Sequence, residues 1–126
     1  VSTHVYSEHS FGEIDLVRLE EAYNTLIKRH LALRTVFENN QQRYLESVPR
    51  YVIKYFEHDS LESLLKIRES LSHKLYDPSV YPLFDIVISK YESKYIVHLS
   101  FDAIIIDMGS FEILFKQWIS LYNSNT

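Results

Sequence analysis

His98–Leu114, HLSFDAIIIDMGSFEIL, is the stretch whose reading decides the rest of the chain. An apolar run carries a carboxylate at Asp102 and, after Ala103-Ile104-Ile105-Ile106, a second at Asp107. The small pair Gly109-Ser110 then makes a turn that opens a helix. Carboxylates inside an apolar segment are costly to bury unless they are paired or hydrogen-bonded. The two aspartates therefore either hold the structure together or work at a site. On a strand, residues at this spacing face opposite ways and stand roughly 17 Å apart along the axis. On a helix, steps of about 100° leave them well round the cylinder from one another. Neither geometry makes a carboxylate pair, so the two have different jobs unless the loop folds back.

Outward from this stretch, Phe84–Ser89 and Tyr95–Phe101 lie either side of the polar turn Glu92-Ser93-Lys94 and read as neighbouring antiparallel strands. Downstream, Ser110 caps a last helix with Phe111, Leu114, Phe115, Trp118 and Leu121 on its apolar face. At the other end of the chain, Thr3–His9 alternates as a strand, and Phe11–Ile14 is a turn. Asp15 caps a helix running to about His30, with Leu16, Leu19, Ala22, Tyr23, Leu26 and Ile27 at helical spacing. Leu33–Phe37 and Gln42–Val48 form a hairpin about Asn39-Asn40, and Val52–Phe56 is a further strand. Asp59-Ser60-Leu61-Glu62 has the form of a capping box. It starts a helix with Leu61, Leu64, Leu65, Arg68, Leu71 and Leu75 on one face, ended by Asp77-Pro78. The order β-α-β-β-β-α-β-β-α predicts a layered α/β fold with a mixed or largely antiparallel sheet.

At 126 residues the chain is one domain's worth or a piece of a larger one, and 46% hydrophobic residues suffice for a core. A net charge of −4 argues against nucleic acid, which needs a clustered basic surface. The absence of cysteine removes disulfides, thiolate nucleophiles and zinc ribbons, and fits a reducing cytoplasmic home. No apolar run is long enough to span a membrane, and no signal peptide is expected. A start at Val1, inside a strand, suggests excision from a longer polypeptide.

Four blocks, in order, carry a family resemblance: HVYSE at His4–Glu8, IDLVRLEEAYNTLIKRHLALRTVF at Ile14–Phe37, RESLSHKLYDPSVYPLFDIVIS at Arg68–Ser89, and HLSFDAIIIDMGSFEIL. They resemble the N-terminal lobe of a heterocyclization domain, a branch of the condensation-domain family of nonribosomal peptide synthetases. Ordinary condensation domains carry His-His-x-x-x-Asp-Gly at the last block, whereas heterocyclization domains carry Asp-x-x-x-x-Asp-x-x-Ser. Asp102, Asp107 and Ser110 fill the second pattern. Met108 departs from it, because the family often has Gly or Ala there.

The resemblance implies a chloramphenicol acetyltransferase-like fold, with residues 1–126 forming one of two lobes that enclose a tunnel. It implies a bacterial synthetase that joins an acyl or peptidyl thioester to carrier-bound Cys, Ser or Thr and then cyclodehydrates the product to a thiazoline or oxazoline. It implies no directly bound cofactor. Phosphopantetheine is supplied by partner carrier-protein domains, and the missing C-terminal lobe is the other implied partner. A lone lobe is expected to be inactive and to expose apolar surface, which makes self-association plausible.

Asp102 and Asp107 are the candidate catalytic residues, with Arg34 and Ser110 supporting the motif. Asp102 takes the place of the motif's first histidine. It either faces the tunnel and orients substrate, or accepts backbone hydrogen bonds and fixes the loop. Ala103 takes the place of the second histidine and supplies no base. Asp107 is read as mainly structural, with the Arg34 fork as its partner; without that pairing it becomes a candidate for direct chemistry. Ser110 is read as a helix cap. His30 and His73 are assigned to interface or core packing, His98 to a strand face, and Glu13, Glu20 and Glu21 to a solvated face. No residues show metal-ligand spacing. The rival reading is a non-catalytic, condensation-like domain that docks carrier or partner proteins.

Overall fold

The computed structural model of the chain describes residues 4–106 and 111–124. In order they form β1 (His4–Phe11), α1 (Leu16–Arg29), a 3-10 turn over Leu31–Arg34, β2 (Thr35–Glu38), β3 (Gln41–Tyr44) and β4 (Lys54–His58). Then follow α2 (Leu61–Ser72), β5 (Phe84–Tyr91), β6 (Lys94–Asp102), the short α3 (Ala103–Ile106) and α4 (Phe111–Asn123). One sheet has the order β1-β6-β5-β4, antiparallel except for the parallel β4–β5 pair. β2 and β3 stand apart as a two-stranded ribbon. The architecture is the expected α/β one, with a mixed, mostly antiparallel sheet and packed helices. Its ribbon turns through Asn39 and Asn40, both at positive φ, as tight hairpins demand.

Several local expectations are corrected. Phe11 closes β1 rather than starting a turn, the 3-10 turn replaces the first residues of the expected strand from Leu33, and β3 stops at Tyr44. Asp15 caps α1 as read, accepting from the Arg18 amide at 3.2 Å. The α2 cap is Ser60 instead of Asp59: the Ser60 hydroxyl accepts from the Ser63 amide at 3.1 Å. α2 ends at Ser72, so Leu75 is 87% exposed, and Leu61 and Leu65 are exposed as well. Only Leu64 and Leu71 of that expected apolar face are buried. The reason lies in what α2 covers.

Alternation divides the sheet into two unlike faces. Phe84, Ile86 and Ile88 of β5 and Val97, Leu99 and Phe101 of β6 point to one side, where α1 and α4 bury them. Leu19, Tyr23, Leu26 and Ile27 meet Leu114 and Trp118 there, and the Trp118 indole donates to the Leu19 carbonyl at 3.0 Å. The other side carries Tyr6, Glu8, Asp85, Ser89, His98, Ser100 and Asp102, and α2 lies over it.

A hydrogen-bonded belt crosses this polar side from β4 to β1. Ser63 of α2 lies 2.7 Å from His58 Nδ1, His58 Nε2 is 2.9 Å from Ser89, and Ser89 is 2.8 Å from His98 Nε2. His98 Nδ1 is 2.8 Å from the Tyr6 hydroxyl, which donates to Glu8 at 2.5 Å. Glu8 takes two bonds from the Arg68 fork, one at 2.8 Å from Nη2 and one from Nε, which returns the belt to α2. Arg68 thus sits in an ion pair rather than on an apolar stripe. With the Tyr6 proton given to Glu8, His98 Nδ1 must carry hydrogen and its Nε2 must accept from Ser89. Ser89 then accepts from His58 Nε2. Burial pushes the Glu8 carboxyl up, but the Arg68 bonds and charge, with the Tyr6 hydroxyl, hold it below its usual value.

Replacing Trp118 by Ala should cost ~3–5 kcal/mol by opening a cavity between α1 and α4, measured by urea denaturation. The belt sets a pH dependence. Burial lowers the His98 pKa to about 4, against a smaller opposing effect of Glu8. The unfolded chain takes up that proton near pH ~6.5. Between these values the unfolded state binds more protons, so stability rises with pH by at most ~1.4 kcal/mol per unit and is lost on acidification. Denaturation at pH 7 and pH 4.5 should show this loss, and His98→Gln should flatten it.

Candidate functional site

Asp102 ends β6 on the polar side of the sheet and is buried. Its amide donates to the Leu83 carbonyl at 2.9 Å, which holds the strand end beside the segment leading into β5. Its Oδ1 accepts from the Ile104 amide at 3.0 Å, so one carboxylate oxygen caps α3. This is the backbone contact read as the alternative to a tunnel-facing role. α3 was not expected as a helix. Asp102 satisfies one of its first amides, that of Ile104, and Ile105 anchors it in the core.

Asp107 and Ser110, together with Met108 and Gly109, lie outside the described residues. Arg34 is described. Its Nε donates to the Ile27 carbonyl at 3.0 Å, Nη2 to Lys28 at 3.2 Å, and Nη1 to Leu45 at 2.6 Å. The guanidinium closes the C-terminus of α1, where carbonyls lack helical partners, and ties it to the chain leaving β3. A groove of about 430 Å³ opens beside it, lined by Asn24, Lys28, Arg34, Ser47 and Arg50 among others. Both of its arginines are already engaged, Arg34 by the carbonyls named and Arg50 by Glu20 and Glu21 at 3.1 and 2.8 Å.

A second polar cluster adjoins Asp102. His4 is its cross-strand partner in the β1–β6 ladder, and His4 Nε2 lies 2.8 Å from Ser100 Oγ. Ser100 Oγ is 2.7 Å from the Tyr76 hydroxyl, and Tyr76 donates to Asp85 at 2.9 Å. Asp85 pairs with Lys74 at 2.5 Å, and the His4 ring stacks on Tyr76 at 6.3 Å. Burial, aided by the Asp85 charge, raises the Tyr76 pKa well above the ordinary phenol, so its hydroxyl stays protonated.

Sequence reasoning missed this cluster, although a signal was present. His98, Ser100 and Asp102 alternate with Val97, Leu99 and Phe101, which is a polar face and an apolar face on one strand. Other assignments change. His73 is exposed at the end of α2, where it contacts Glu69, and is not packed in the core. His30 is half-buried and bonded to Gln117. Glu20 is not simply solvated, since its Oε1 accepts from the Ile53 amide at 2.9 Å and pins the entry to β4. Among the described residues no group of three or more acidic or histidine side chains could hold a metal ion, and no helix is long and apolar enough to cross a membrane.

Comparison with known proteins places this geometry. A family model described as the condensation domain matches residues 3–126. Bacitracin synthase 1 of Bacillus licheniformis is 36% identical over 122 residues, covering 90% of this chain and 2% of the synthase. Pyochelin synthetase PchF of Pseudomonas aeruginosa is 29% identical over 126 residues, covering 94% of this chain and 7% of the synthetase. The EpoB cyclization-docking bidomain of Sorangium cellulosum, a solved structure, superposes with a TM-score of 0.86 at 28% identity, covering 99% of this chain and 27% of that one. The chain thus spans a small part of the synthetases it matches. The two-faced sheet, the strand end at Asp102 and a family match along nearly every residue lead to one conclusion: the chain belongs to the condensation-domain family, as a condensation-type domain of nonribosomal peptide synthetases.

Proposed function

We infer that the chain is part of a heterocyclization domain, which condenses a carrier-bound acyl or peptidyl thioester with Cys, Ser or Thr and cyclodehydrates the product to a thiazoline or oxazoline. The observation that carries this reading is the pattern Asp102-x4-Asp107-x2-Ser110, with alanine at 103, set where β6 ends. The likeness to a bidomain described as cyclization-docking supports it. In this reading the residues form one lobe of two, and a further lobe completes the tunnel. Carrier-protein domains bring both substrates on phosphopantetheine arms. The amine of one attacks the thioester of the other, after which the side-chain thiol or hydroxyl closes on the new amide and water leaves.

Asp102 then has two tasks that its two oxygens can divide. One oxygen shapes α3 through the Ile104 amide, and the other orients substrate. Asp107 and Ser110 keep the roles of loop support and helix cap, and Arg34 steadies the α1 corner nearby. A docking-only domain would keep Asp102 for its structural bond alone, which makes the two readings separable.

The synthetase carrying this chain, given both loaded carrier domains, should release a product one water lighter than the linear amide by mass spectrometry. Asp102→Asn keeps an acceptor for Ile104 but removes the charge. It should slow product formation about tenfold or more, equivalent to ~1.4 kcal/mol of barrier, without a large fall in melting temperature. An unchanged rate returns Asp102 to a structural role. Carrier binding with no amide at all favours the docking module, and amide without ring closure leaves condensation only.

A further inference from the structure

The cluster beside Asp102 assigns its own protons. Tyr76 holds one hydroxyl proton, and its strongest acceptor is the Asp85 carboxylate at 2.9 Å, which is anchored in turn by Lys74. The oxygens of Tyr76 and Ser100 are 2.7 Å apart, a separation that requires a hydrogen between them. With the Tyr76 proton committed to Asp85, that hydrogen belongs to Ser100, whose other acceptor, the Leu71 carbonyl, is the longer contact at 3.3 Å. Ser100 then has none to give to the imidazole 2.8 Å away, so His4 Nε2 is the donor. A neutral imidazole carries one N–H. His4 Nδ1 is therefore left with a bare lone pair, and no described residue bonds to it.

The other polar-side histidines differ. Both nitrogens of His98 and both of His58 are engaged in the belt. Ala103, the residue after Asp102, offers no base at all. Among the described residues, His4 alone on this face combines a half-buried ring, a nitrogen with no described partner and a position directly across the ladder from Asp102.

We propose that His4 is the general base of this site, accepting a proton at Nδ1 while Ser100, Tyr76 and Asp85 hold its ring. The inference rests on the heterocyclization reading. As the substrate amine attacks the thioester carbonyl, the N–C bond forms and the C–S bond breaks. The proton shed by the amine nitrogen passes to His4 Nδ1 and then to the departing thiolate of the phosphopantetheine arm, which regenerates neutral His4. Nε2–H keeps its bond to Ser100 throughout, and the imidazolium is steadied along the chain that ends on the Asp85 carboxylate. Tyr76 and Asp85 are positioning residues in this scheme.

The test uses the intact synthetase with both carriers loaded and follows amide formation across pH. His4→Gln should lower kcat about 10²–10⁴-fold, the ordinary worth of a positioned base, with KM for the loaded carriers unchanged. It should also erase a limb of the pH–rate profile present in the parent. Tyr76→Phe cuts the chain away from substrate, so it should lower kcat less and shift that limb. A His4→Gln protein that keeps pace with the parent, or keeps the same limb, overturns the proposal while the functional reading stands. Should His4→Gln fail to fold, Tyr76→Phe decides, and an unshifted limb overturns the proposal. A parent protein that forms no amide overturns the functional reading and this inference with it.

Discussion

A row of hydroxyls, imidazoles and carboxylates can lie under a helix only if each finds a partner, because an unpaired buried polar group costs much of what burial provides. The side of the sheet beneath α2 is built to that requirement. Six hydrogen-bonding steps, counting the Arg68 fork as one, lead from Ser63 across β4, β5, β6 and β1 and back to α2 at Arg68. The belt makes α2 specific in register: sliding it by one residue would part Ser63 from His58 and Arg68 from Glu8 together. Apolar packing through Leu64 and Leu71 alone would tolerate such a slip far better.

The same requirement delivers the candidate site. Polar side chains on alternate residues of β6 run His98, Ser100, Asp102, each pairing with β1 through Glu8, Tyr6 and His4 in turn. The belt uses the first tier, the Tyr76–Asp85 cluster uses the second, and Asp102 stands at the strand end where the sheet stops. On the opposite face the core packs aromatic rings edge to face, Tyr23 on Trp118 and on Phe84 at 5.0 and 5.4 Å. A rigid apolar face thus backs a polar face whose protons are ordered, an arrangement suited to holding a reactive group still.

Much of the fold was legible because its signals were local. The Asn39-Asn40 turn, the Asp15 cap, the periodicity of α1 and the paired strands around Glu92-Ser93-Lys94 each follow from short-range chemistry. The leucines of α2 misled for a tertiary reason. Helical spacing marks a face but not what lies opposite, and the sheet opposite was polar, so only two of them are buried. In the site, the weight of Asp102 was visible from its apolar setting. Glu8–Arg68 and His4–Ser100–Tyr76–Asp85 join distant segments, and no spacing rule reaches that far. The alternation of β6 was the available clue to them.

β1 and β6 make the longest-range pairing in the sheet, bringing residue 4 against residue 102. Non-local strand pairing is slow because the loop-closure cost comes before the contacts that reward it. While the polypeptide is being made, β1 emerges first and must wait for nearly the whole of this region before its ladder can form. Throughout that wait His4, Tyr6 and Glu8 lack their cross-strand neighbours on β6. β1 can therefore lock only once β6 is made, and the site next to Asp102 matures with that pairing.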